Sequence, residues 1–89
     1  MAEPLRVLLT KARSVIVREF GHRTGHPYLE TAVEIDHALQ EDDGALEDAA
    51  FEAVLALNAC QLHQSMREEE SSAQETTRLM YALHESLLG

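Results

Sequence analysis

Three observations predict an all-α fold for this chain. Apolar residues recur at helical spacing over four separate stretches, and breaks rich in glycine, proline or acids divide those stretches. Nowhere does strict apolar–polar alternation persist with β-branched residues, as a half-buried strand requires. Eighty-nine residues provide for one domain and one core. The predicted architecture is a compact bundle of three to four helices. The third helix, about 45–66, is central, and homodimerisation completes the bundle.

The first helix is expected over Pro4–Phe20. Proline suits a first helical turn, and Gly21 suits the left-handed residue just past the end. Leu5, Leu8, Leu9, Ala12, Val15, Ile16 and Phe20 fall on one face, with Arg6 and Arg13 on one border and Lys11 and Arg18 on the other. Cations bordering an apolar stripe lay their stems over the core edge and keep their charge in water.

The segment 21–26 reads as a loop, with Thr24 or His26 near the cap of a second helix that starts at Pro27 and runs to about Gln40. Tyr28, Leu29, Ala32, Val33, Ile35 and Leu39 line one side of it. Asp36 lies within the same arc, an unusual place for a carboxylate. Glu41-Asp42-Asp43-Gly44 forms the next break, where acids favour a helix N-terminus.

The third helix is apolar on most of its circumference. Leu46, Ala50, Val54 and Leu57 make one stripe, and Phe51, Leu55, Leu62 and Met66 a second. Ala49, Ala53, Ala56 and Cys60 make a third surface of small residues. Such a helix contacts several neighbours, and Asn58, between two of the stripes, is expected to be buried and to fix register. The run 67–72 contains no apolar residue, and Ser72 with Glu75 matches a capping box. A break there and a fourth helix to about Leu88 follow, with Thr76, Leu79, Met80, Leu83 and Leu87 facing inward.

Charge is divided unevenly. Residues 1–23 carry five of the seven basic residues against Glu3 and Glu19, a local +3, whereas 24–89 carry Arg67 and Arg78 against fourteen acids, a local −12. The strong acidity argues against nucleic acid or an anionic membrane as partner, since both need a cationic face. No apolar run reaches the roughly 18 residues that span a bilayer. Charges interrupt the N-terminus where a signal peptide needs an apolar stretch, and Glu3 and Glu19 count against an Arg-rich presequence. One cysteine, Cys60, excludes an internal disulfide and fits a reducing, cytoplasmic setting.

Few residues suggest chemistry. His22, Arg23 and His26 could gather an anion or a metal, although a solvated loop is the simpler account. His37, His63 and His84 sit one each on the second, third and fourth helices, without the paired Glu-x-x-His that bundle metal sites use. Cys60 lies mid-helix among alanines, a place for a small buried hydrophobe rather than an activated thiolate. Asp36 is expected to pair with Arg13 or Arg18. No phosphate loop, nucleophile elbow or Cys-x-x-Cys occurs.

The stretch 44–57, GALEDAAFEAVLAL, resembles the second helix of acyl carrier proteins. That resemblance implies a helical element, but Glu47 replaces the serine that would bear phosphopantetheine and Asp48 the leucine after it. A working carrier is excluded, and no catalytic residue, metal or cofactor is assigned.

The functional expectation is a small acidic, non-enzymatic interaction module: an inhibitor, an immunity- or antitoxin-like binder, or a small chaperone or adaptor. It would act on a protein with a basic surface. Glu41, Asp42, Asp43, Glu47 and Asp48 are the expected partner-binding residues, joined by Glu68, Glu69 and Glu70; helix capping and solubility would also account for them. The alternative is a small helical enzyme or anionic-ligand binder at a dimer interface, with Arg6, Arg13 or Arg23 beside His22 and His26. Such a site needs several cations converging on one apolar-lined pocket.

Overall fold

The computed structural model describes residues 4–21, 25–41 and 43–88. These form four helices, α1 (Leu5–Phe20), α2 (Pro27–Gln40), α3 (Asp43–Met66) and α4 (Glu70–Leu88), and no strand occurs among them. α3 packs against all three other helices. α1 also packs against α2 and α4, whereas α2 and α4 do not meet. The result is a row α2–α3–α4 with α1 set against all three. It is a flat body whose principal extents are 36 × 31 × 15 Å. Helix axes pack about 8–10 Å apart, so the short dimension holds two layers.

Small residues make the central packing possible. Ala49, Ala50, Ala53, Ala56 and Cys60 of α3 are buried, as are Ala12 of α1 and Ala32 of α2, so backbones approach closely. Leu9, Ile16, Phe20, Ile35, Leu57 and Leu83 supply the large side chains of the core. Each such side chain, fully buried, stabilises the fold by about 1.5–3 kcal/mol.

The helix ends differ from expectation in three places. Gly21 is not left-handed: its φ of −61° continues the helix, and its N–H donates to the Val17 carbonyl at 2.7 Å. Glycine is required there by proximity, because a Cβ would collide with that carbonyl oxygen. The left-handed glycine of this loop is Gly25, at φ 82°. The N-cap of α2 is His26, one of the two residues expected there, and its ring Nδ1 accepts from the Tyr28 N–H at 3.2 Å; Thr24 lies outside the described residues. Second, α3 begins at Asp43, two residues before the expected Ala45, so Gly44 belongs to the helix rather than to the break.

Third, α3 and α4 are separate helices, but Ser72 does not cap the second. α4 starts at Glu70, and the Glu69 carbonyl accepts from Ala73 N–H, which leaves Ser72 inside the first turn. The break is a Schellman motif. Glu68 takes a left-handed φ of 62°, the Glu69 N–H bonds the Gln64 carbonyl at 2.9 Å, and the Glu68 N–H bonds that of Ser65 at 3.1 Å. Glutamate holds a position where glycine is usual.

Two residues thought to be buried are not. Asn58 points to solvent, and so does Val33 of α2. Asn58 lies on the one side of α3 that no other helix covers, so pattern alone misjudged its depth.

Candidate functional site

The two borders of α1 meet different neighbours, and this sorts the basic residues. On the α2 side, Arg6 donates to the Leu39 carbonyl at 2.6 Å and the Glu41 carbonyl at 3.2 Å, closing the C-terminal end of α2. A cation is favoured there by the helix dipole as well as by unsatisfied carbonyls. Arg13 Nε lies 2.5 Å from Asp36 Oδ1, the pairing expected from sequence. Both side chains are about two-fifths exposed, so Asp36 sits at the edge of the core rather than in it. Arg13 Nε makes no aligned hydrogen bond, and the contact is an ion pair only.

His26 is also occupied structurally, stacking on Phe20 with ring centroids 4.2 Å apart. Arg6, Arg13 and His26 thus serve three different local purposes and do not converge. His22 and Arg23 lie outside the described residues. His63 packs edge-on against Phe20 at 5.4 Å, while His37 and His84 are exposed on α2 and α4. No group of three or more metal-binding side chains occurs among the described residues.

On the α4 side, Lys11 and Arg18 face a groove that also receives Arg78, with Leu8, Val15, Leu79 and Ala82 between them. Cations and apolar groups therefore meet in a concavity, but with a different set of residues from the one expected.

At the end of the molecule where α1 stops and α3 turns into α4, polar side chains form a buried chain. Gln64 Nε2 donates to Glu19 Oε2 at 3.1 Å, Thr76 Oγ1 donates to Gln64 Oε1 at 2.7 Å, and Arg67 donates to Glu19 Oε1 at 2.6 Å. Arg67 also grips Glu69 through its Nε at 2.9 Å. Glu19, Gln64 and Thr76 are all buried. Burial pushes the Glu19 carboxyl up, but hydrogen bonds from Arg67 and Gln64, with the charges of Arg67 and Arg18, outweigh it and hold Glu19 below the usual range. Glu69 and then Glu19 bind the Arg67 proton more firmly still. Every polar partner here belongs to the chain, so the cluster ties α1, α3 and α4 together.

Glu19 and Gln64 were missed as interior residues, although a signal existed. Glu19 continues the Ala12–Ile16 face of α1, and Gln64 follows Ala53, Leu57 and Cys60 at spacings of four, three and four. Cys60 itself is fully buried, and burial followed by the nearby Glu19 charge pushes its thiol up to about 12. It is inert at neutral pH.

The uncovered side of α3 is the most unusual surface. Phe51, Leu55, Leu62 and Met66 run along it at 63, 62, 52 and 82% exposure. Four large apolar side chains in one line are not the scattered exposure that any monomer shows. Glu47, Asp48 and Glu52 are exposed on the same helix. Glu34 and Glu41 join Asp48, Phe51 and Glu52 around a groove of about 420 Å³ between α2 and α3. Of the expected partner-binding acids, Glu41 and Asp48 therefore line this groove beside Phe51, and Glu47 is exposed one helical turn before Phe51. Asp42, and the side chain of Asp43, lie outside the described residues. Glu68, Glu69 and Glu70 are exposed in the α3–α4 turn, with Glu69 held by Arg67.

No family model, curated protein or solved structure matches this chain. No helix among the described residues is long and apolar enough to cross a membrane.

Proposed function

We propose that this chain is a non-enzymatic interaction module that docks a basic protein partner on the open side of α3. The observation that carries the reading is the ridge Phe51, Leu55, Leu62 and Met66, each more than half exposed on the element at the centre of the fold. Positions 24–66 contain nine acids and no Lys or Arg, so the fixed charge carried by α2 and α3 is negative, and the first cation, Arg67, comes just after the ridge's last residue. The complementary surface is an amphipathic helix with an apolar stripe and cationic flanks. Glu41, Glu47, Asp48 and Glu52 steer it, and the ridge supplies contact area. An inhibitor, an immunity- or antitoxin-like binder and a small adaptor all fit this description. A reducing, cytoplasmic setting agrees with the single thiol.

The test is co-purification from native lysate at low and high salt, with the wild type beside Leu55→Ser and a Glu47→Gln/Asp48→Asn variant. A stoichiometric basic protein held by the wild type, released by salt and lost in both variants supports the reading. Recovery of the same proteins by all three, or of the chain alone, refutes it.

A second occupant, another copy of the chain, is favoured by one observation. The ridge is symmetric about Asn58 and Ala59, so an antiparallel pair of α3 helices would set Phe51 against Met66 and Leu55 against Leu62. Each copy carries a net charge of −9. The two occupants respond oppositely to salt: screening strengthens a like-charged homodimer and weakens a basic complex. Sedimentation equilibrium at both ionic strengths separates them.

A further inference from the structure

The cations of this fold are mostly engaged within it: Arg6 with carbonyls, Arg13 with Asp36, and Arg67 with Glu19 and Glu69. Among the described residues, Arg18 and Arg78 are the exceptions. Neither makes an ion pair or hydrogen bond among the described residues, and both face one groove between α1 and α4, together with Lys11. That groove measures about 530 Å³, within the range of small-molecule sites, about 300–1,000 Å³.

Arg18 and Arg78 line it with one carboxylate, Glu75, and with Lys11, which already has an interaction of its own, in a protein of net charge −9. This local reversal of sign is what a site for an anion requires. Val15 and Leu79 add apolar surface beside the charges, so the groove offers a headgroup contact and a tail contact together. We propose that the α1–α4 groove binds a small amphipathic anion, an anionic headgroup of carboxylate or phosphate type on a short apolar tail. Arg18 and Arg78 hold the headgroup, Val15 and Leu79 cover the tail, and Glu75 limits the charge that the site accepts. This site shares no residue with the α3 ridge and stands or falls independently of it.

The experiment is a ¹⁵N NMR titration of the full chain with sodium octanoate, octylammonium and inorganic phosphate, below micelle-forming concentrations. Octanoate should give saturable shifts confined to α1 and α4, at least about tenfold tighter than octylammonium or phosphate. Arg18→Ala/Arg78→Ala should weaken octanoate about tenfold, and Glu75→Gln should tighten it. Circular dichroism confirms that the exposed-site variants remain folded. Equal affinity for octylammonium would reduce the groove to a grease patch, and equal affinity for phosphate would remove the tail from the claim. Unchanged octanoate binding in the double-arginine variant, or no saturable shift at all, would overturn the proposal.

Discussion

Arg67, at the end of α3, donates to the buried Glu19 carboxylate of α1 at 2.6 Å, across 48 positions of sequence. The same guanidinium holds Glu69 beside the α3–α4 turn. One side chain therefore couples the last turn of α1 to the direction in which α4 leaves. Removing either end strands part of a buried network, so Glu19→Ala should cost about 2 kcal/mol in urea unfolding. Arg67→Lys should recover little of the loss from Arg67→Ala, because an ammonium cannot hold two carboxylates with a planar fork.

The acid side of stability should carry the signature of Glu19. Its folded pKa lies below the ordinary value of 4.5, so its charged form is favoured by folding. That contribution is complete above the unfolded value and is lost as pH falls from there through the folded one. Glu19→Gln should therefore lose less stability between neutral pH and about 3 than the wild type does. Chemical denaturation at a series of pH values reads the difference, and parallel curves would show that Glu19 is not the group responsible.

Glu68 occupies the left-handed position that ends α3, at φ 62°. An L-residue there carries a cost of about 1–2 kcal/mol that glycine avoids, reduced by glycine's greater freedom when unfolded. Glu68→Gly should raise stability by about 0.5–1 kcal/mol, which corresponds to a melting temperature several degrees higher for a chain of this length. A lowered melting temperature would mean that the Glu68 side chain contributes more than its backbone costs.

Leu55 and Leu57 are two positions apart on α3 and have opposite environments, the first 62% exposed and the second fully buried. Leu57→Ala should destabilise the isolated chain by about 2–5 kcal/mol, and Leu55→Ala by no more than about 0.5 kcal/mol. Thermal melts of the two variants measure this directly. The contrast also separates the fold from the proposed docking face, since Leu55 is then free to serve a partner.

Cys60 should resist thiol reagents in the native state. Fully buried and with its pKa pushed up to about 12, it presents almost no thiolate at pH 8. Modification by a disulfide reagent should run at least about a hundredfold slower than in urea. Rapid labelling of the native protein would show that the region around α3 opens readily.

Local sequence determined the helices themselves. Four apolar periodicities, Pro27, the acid-rich run before α3 and the apolar-free stretch after Met66 mark where each helix begins and ends, because helix propensity and capping act over a few residues. The two cationic borders of α1 and the Arg13–Asp36 pair were also legible, since helical angle alone places them. Tertiary structure decided which neighbour each face would meet. Ala53, Leu57, Cys60 and Gln64 turned inward, while Phe51, Leu55, Asn58 and Leu62 turned to solvent. Both sets share helical spacing, and a helix apolar on most sides carries no local signal of which side will be left open. The same holds for Glu19, whose burial depends on an arginine 48 positions away, and for Arg18 and Arg78, which share a groove only because α4 packs beside α1. Burial and charge pairing are properties of the assembled bundle, and no window of sequence contains them.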